Sequence, residues 1–215
     1  MGTWRPQADR QYTVTPAQHY SSTQVIIKKH PGRFRTVMYL EDDILVSWRS
    51  LQSWEQDTSY LAPKGFQRGF QRTEVAPWDG QLMSLDQGES VSLSKAQKIV
   101  VETETGPRHF LAMPNPYMAM WIAEAGQLAR FMDSKWWTAK SGQWGVREMA
   151  AGGMQFVSPP AGYRSAVVVP YDPKLKQVDD LAAIAHISNN YCARHAVKPA
   201  ERTPCSLPWH QLLKD

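Results

Sequence analysis

Cysteine is scarce in this sequence: Cys192 and Cys205 are the only two. Two do not make a disulfide framework, and a reducing cytosol fits them best. No apolar run reaches the roughly 18 residues a membrane-spanning helix needs, so no integral membrane segment is expected. The opening stretch, MGTWRPQADRQYTVTPAQHYSSTQ, lacks the apolar region of a secretory signal. The best-marked catalytic signatures are missing too. GxSxG, HExxH, Walker A and GxGxxG do not occur, and neither cysteine stands beside a recognisable base. Cys192, His195, Cys205 and His210 carry zinc-binding side chains. Their C-x2-H and C-x4-H spacing departs from the CxxC knuckles of structural zinc sites, so neither a metal nor another cofactor is expected. Charge of one sign is not in strong excess. A net charge of +4 and a pI of about 9.1 permit a nucleic-acid or acidic protein partner without demanding one.

What remains is a chain of 215 residues, long enough for one domain with a real core. Residues 1–23 are polar and weakly periodic and read as an arm. Residues 24–196 read as a single α+β domain. Residues 197–215, broken by Pro199, Pro204 and Pro208, read as a tail anchored by Leu207, Trp209, Leu212 and Leu213. Residues 24–29 and 34–40 read as strands around His30-Pro31-Gly32-Arg33. Asp42 and Asp43 suit a helix N-terminus, followed by Ile44, Leu45, Trp48, Leu51 and Trp54 at helical spacing. Residues 97–102 and 108–113 read as strands joined across Thr105-Gly106-Pro107. Residues 117–131 stay open between strand and helix. Ala166 to Val169, a β-branched run, predicts a central strand buried on both faces. Asp179 and Asp180 predict a helix running to about His195. The expected architecture is a mixed β-sheet with packed helices.

Three stretches carry candidate binding chemistry. Lys28, Lys29, Arg33 and Arg35 form a basic turn with no acid among them, which suits phosphates or an acidic surface. The near-repeat Gly65-Phe66-Gln67-Arg68 and Gly69-Phe70-Gln71-Arg72, preceded by Lys64, interleaves rings and cations as single-strand binders do. Phe66 and Phe70 serve equally as partner anchors. The third, GQWGVREMAAGGMQFVSP from Gly142 to Pro159, reads as loop, short helix, turn and strand. A glycine loop opening a helix presents backbone N–H groups to an anion. Arg147 lies within this stretch, and Trp144 is its candidate partner contact.

The order of strand, basic turn, helix with Trp48-Arg49, Gly65–Arg72 loop, Met113-Pro114 and Gly142–Pro159 resembles the plasmid fertility-inhibition factors. That family is itself similar to the ParB/sulfiredoxin fold. Its pattern is a Met-Pro, then Asp-Gly-Arg-His-Arg opening a helix that ends in Gly, then a strand closing with Pro. Met113-Pro114, Gly142, Gly153 and residues 155–158 match it. The Arg-His-Arg positions, however, read Gln143, Trp144 and Gly145. In the other register Asp133-Ser134-Lys135-Trp136-Trp137 takes the motif's place, keeping the acid and one cation, with Lys135 or Arg147 standing for the lost arginines. The resemblance spans roughly residues 25–170. It implies a ParB/sulfiredoxin-like core and an inhibitor of conjugative DNA transfer, cytoplasmic in the donor. The implied partner is the coupling protein or relaxosome of a type IV secretion system, engaged by binding because the motif's cations are eroded. The alternatives are a ParB-like DNase or ATPase acting on the transferred strand, and a DNA-binding accessory protein.

Overall fold

Strands outnumber helices among the described residues, and the computed structural model describes residues 12–15, 35–86, 95–133, 162, 166–197, 205 and 207–213. In chain order the elements begin with β1 (Tyr12–Thr15), β2 (Thr36–Leu40), β3 (Ile44–Leu45) and α1 (Trp48–Leu61). Next come β4 (Gln67–Arg68), β5 (Gln71–Val75), β6 (Leu82–Ser84), β7 (Lys98–Thr103) and β8 (Gly106–Ala112). After them follow β9 (Met120–Glu124), α2 (Ala125–Met132), β10 (Val167–Asp172), β11 (Gln177–Val178) and β12 (Ala183–His186). The last elements are α3 (Asn190–Val197) and β13 (Leu207–Pro208). The protein is a mixed α+β structure that divides into two compact units.

The first unit contains β1, β2, β9 and α2. β1 runs parallel to β2, and β2 pairs antiparallel with β9 along its whole length. Val37, Met38 and Tyr39 are all buried, as are Met120 to Ala123, so both strands are covered on both faces. The stretch left open between strand and helix is both: residues 120–124 are strand and residues 125–132 helix. The polar arm holds a four-residue strand, β1.

The second unit holds two sheets. One has the order β11-β10-β8-β7, with β4 parallel to β10; the other has the order β13-β6-β5-β12-β3. The β-branched run forms the centre of the first sheet as expected, with Val167, Val168 and Val169 fully buried. The β7–β8 hairpin also agrees with the sequence reading, closing through Gly106 at φ 112°, a left-handed conformation that favours glycine. Between β4 and β5 the chain steps from one sheet to the other at Gly69. The backbone there passes so near β10 that a Cβ would collide with the Val167 side chain, which excludes any other residue.

Two helix readings need correction. Ile44 and Leu45 form an edge strand on β12 instead of a first helical turn. The helix starts at Trp48, capped by Ser47, whose Oγ accepts from Ser50 N at 3.0 Å. The segment after Asp179 is a 3-10 turn, Asp180–Ala182, then strand β12, and only then helix α3. Asp179 does cap, accepting from Leu181 N at 2.9 Å, but what it caps is one short turn. Ile184 belongs to a strand that β5 and β3 flank, a pairing made with residues far away in sequence.

Cys192 and Cys205 are joined as a disulfide, a correction to the expectation of a reducing cytosol, where such bonds are rare. The bond fastens α3 to the start of the tail, where Trp209, Leu212 and Leu213 are buried. Closing a loop with a sequence separation of 13 restricts the unfolded chain by about 3 kcal/mol. Urea denaturation of the oxidised protein is therefore expected to show about 3 kcal/mol more stability than the same protein in reducing agent, with Cys205→Ala matching the reduced form. Equal stability in all three samples would remove the bond from the native state.

Candidate functional site

The inner face of α1 is unusually polar: Ser50, Ser53, Asp57 and Thr58 are buried beside Trp54 and Leu61. Residues at i, i+3, i+4 and i+7 share one helical face, so this placement carries Asp57 into the interior. It meets Arg68 of β4, with Nε–Oδ2 at 3.5 Å, and Arg108 of β8, with Nη2–Oδ1 at 2.6 Å. Arg68 is wholly buried and donates to the carbonyls of Gly69 and of Leu181, the latter at 3.0 Å. Burial pulls its guanidinium down to about 10 despite the Asp57 charge. Burial likewise pushes the Asp57 carboxyl up, with Arg68 and Arg108 opposing it. Asp57 and Arg68 are thus a buried structural pair, and Arg108, a third exposed on its side chain, connects them to the surface.

Arg108 opens onto a cleft of about 670 Å³ whose walls include His109, Tyr171, Asp172, Lys174, Asp179 and Asp180. Two segments build it: the start of β8, and the β10–β11 turn. Tyr171 meets His109 edge to face, with centroids 5.9 Å apart. The acids of the cleft are occupied by the protein's own donors. Asp172 Oδ1 accepts from Lys174 N at 2.7 Å and Leu175 N at 3.0 Å, and these bonds hold its carboxyl below the usual range. Asp179 caps Leu181, and Asp180 accepts from Trp209 Nε1 at 2.8 Å. The Lys174 ammonium makes no hydrogen bond or ion pair among the described residues. Each of these aspartates keeps its second carboxylate oxygen and its charge, so the cleft is a mixed-charge surface in which Lys174 and the partly exposed Arg108 face three acids.

A second buried polar cluster surrounds His186. Its Nδ1 lies 2.5 Å from Glu74 Oε1 and its Nε2 3.0 Å from Asp43 Oδ2. Ser188 Oγ lies 3.2 Å and 3.1 Å from the two ring nitrogens. A Ser-His-Glu relay needs the hydroxyl on the lone-pair axis of Nε2. An oxygen nearly equidistant from both nitrogens lies off the axis of each, and Nε2 already faces Asp43. Glu74 is also structural: it accepts from Cys192 N at 2.6 Å and Tyr191 N at 3.3 Å, satisfying the first turn of α3. Asp43 belongs to this cluster and not to a helix cap.

The rings and cations of the Gly65–Arg72 stretch do meet, but inside the protein. Phe66 and Phe70 are buried, and Arg68 lies 4.5 Å from the Phe70 centroid. Arg72 forks onto Asp86 with bonds of 3.0 and 2.7 Å and lies over Tyr117 and Tyr191. Burial works against its charge, but the Asp86 carboxylate outweighs that and holds it above the usual arginine value. Their place is in the core. Lys64 and Arg35 are exposed. Lys28, Lys29, Arg33, Lys135, Gly142, Trp144 and Arg147 lie outside the described residues. His195 packs on Trp78, and His210 faces Gln177 at 2.9 Å, so with the cysteines bonded to each other the four potential zinc ligands do not converge. Among the described residues no helix is long and apolar enough to cross a membrane. Sequence reasoning missed the cleft because its walls come from segments some sixty residues apart, neither with a motif. The Pro170-Tyr171-Asp172-Pro173 run, where β10 ends and its turn begins, was its one local signal. The chain matches no family model, no curated protein and no solved structure.

Proposed function

We propose that this protein inhibits conjugative DNA transfer by binding. In this reading it acts in the donor cell and docks on the coupling protein or relaxosome of a type IV secretion system. The transfer setting comes from the resemblance to the fertility-inhibition factors, whose ParB/sulfiredoxin-like core we extend to this chain as part of the same proposal. Support for binding over catalysis comes from the cleft. Each of its carboxylates is held by backbone or indole donors on one oxygen, and Arg108, His109 and Lys174 line the same cleft beside the Tyr171 ring, a surface of mixed charge with no open nucleophile among its described walls. A partner segment carrying both signs fits that arrangement, its carboxylate at Lys174 and Arg108 and its donors at the free aspartate oxygens, with Tyr171 as the aromatic anchor. The buried arginines Arg68 and Arg72 are committed to Asp57 and Asp86, and so do not act on a phosphoryl group.

The test uses a donor strain in which the wild-type protein suppresses plasmid transfer. The double variant His109→Glu/Lys174→Glu is expected to lose at least about tenfold of that suppression, the scale of about 1.4 kcal/mol of lost binding, at unchanged thermal stability. Lys64→Glu is expected to keep it. Purified protein with Mg²⁺ is expected to hydrolyse neither ATP nor DNA above background. Full suppression by the double variant would reject the cleft as the docking site. Robust hydrolysis lost together with suppression would replace the binding reading with an enzymatic one.

A further inference from the structure

We propose that the chain pairs with a second copy of itself through β7, in antiparallel register about Val100, making one continuous sheet across a twofold axis. β7 is the terminal strand of its sheet among the described residues, with β8 on one side. The ladder fixes which backbone groups are left over. Thr103 lies opposite Gly106 across the two-residue turn, and Ala112 N donates to Gln97 O at 2.9 Å. Hydrogen-bonded and non-bonded pairs alternate along an antiparallel ladder. Gln97, Ile99, Val101 and Thr103 therefore direct their N–H and C=O groups at β8. Pro107 agrees, because it lacks an N–H and stands opposite Glu102 at a non-bonded position. Lys98, Val100 and Glu102 direct theirs away from the sheet.

Those same three side chains are exposed, with Val100 at 52%. Lys98 and Glu102 are equally spaced about Val100. In the twofold register Lys98 lies opposite Glu102 of the second copy, Val100 opposite Val100, and Glu102 opposite Lys98. Each is a hydrogen-bonded pair that exchanges two backbone bonds. Both charged pairs are of opposite sign, the favourable cross-strand arrangement. A shift of two residues either way sets a charge opposite Val100 and loses a pair. A shift of one sets outward-facing groups against inward-facing ones. Charges on a strand edge commonly guard it against indiscriminate pairing. Here their symmetric placement leaves one partner that satisfies them, an identical strand.

Sedimentation equilibrium on the full chain reads the outcome. The wild type is expected to dimerise. Lys98→Glu sets carboxylates opposite one another at both ends and is expected to raise the dimer dissociation constant at least tenfold, and Glu102→Lys the same. The charge swap Lys98→Glu/Glu102→Lys restores opposite pairs and is expected to return the constant to within about threefold of wild type. Val100→Pro removes only an outward N–H, so it is expected to yield a monomer with the wild-type circular dichroism spectrum. The proposal is overturned by a monomeric wild type, by a dimer that the single charge variants leave unchanged, or by a swap no better than the single variants.

Discussion

Replacing Asp57 by alanine is expected to destabilise the protein by about 3–5 kcal/mol, because a buried guanidinium then loses its counter-charge. Arg68 is fully buried and cannot move to water without dismantling the contact of β4 with β10. Its carbonyl partners at Gly69 and Leu181 satisfy hydrogen bonds but supply no net charge. The pair is not itself a strong source of stability. The Asp57 carboxyl is raised by burial against two arginines, so desolvation outweighs attraction at this site. The double variant Asp57→Leu/Arg68→Met is accordingly expected to be less destabilised than Asp57→Ala alone. Urea denaturation followed by tryptophan fluorescence measures both. A loss below about 1 kcal/mol for Asp57→Ala would mean that water reaches Arg68.

The second large effect is expected at Glu74. Its carboxylate meets His186, Cys192 N and Tyr191 N, and it is 2% exposed. Alanine there leaves the N–H groups of Cys192 and Tyr191 without that acceptor and takes from His186 one of its two carboxylates, each buried donor left unpaired costing about 1–3 kcal/mol. The variant Glu74→Ala is expected to lose about 3 kcal/mol or more. Glu74→Gln, which retains a carbonyl oxygen but loses the charge, is expected to lose roughly half as much. Amide hydrogen exchange gives an independent reading, since the Cys192 N–H should exchange much faster in the alanine variant. Unchanged protection at Cys192 would show that α3 is held by the disulfide and not by its cap.

How much of this was legible depended on how far apart the interacting residues are. The β7–β8 hairpin was readable because alternation and a Thr-Gly-Pro turn are local signals. Val167 to Val169 announced a buried strand by composition alone. The polar face of α1 was not readable as buried, because the partners that satisfy Asp57 lie on β4 and β8. The Gly65–Arg72 near-repeat misled for the same reason. Rings alternating with cations look alike whether they face a nucleic acid or one another, and Asp57 and Asp86 decide which. Its two strands are short and pair in parallel with β10 and β12, which leaves no periodicity to read. The cleft, assembled from a hairpin strand and a distant turn, had no single stretch to mark it.

The step of residues 67–75 from one sheet to the other also sets an order of events during synthesis. Thr73 Oγ1 bonds to Ile184 O, 111 residues further along the chain. β4 and β5 therefore leave the ribosome well before β10 and β12, the strands that flank them in parallel. At about 5–20 residues per second, the interval is on the order of ten seconds. Through that interval β4 lacks β10 and β5 lacks β12, while β5 already has its hairpin partner β6 and Arg72 its Asp86. The stretch of rings and cations is thus enclosed in two stages, β5 first by its hairpin with β6 and β4 later by the arrival of β10.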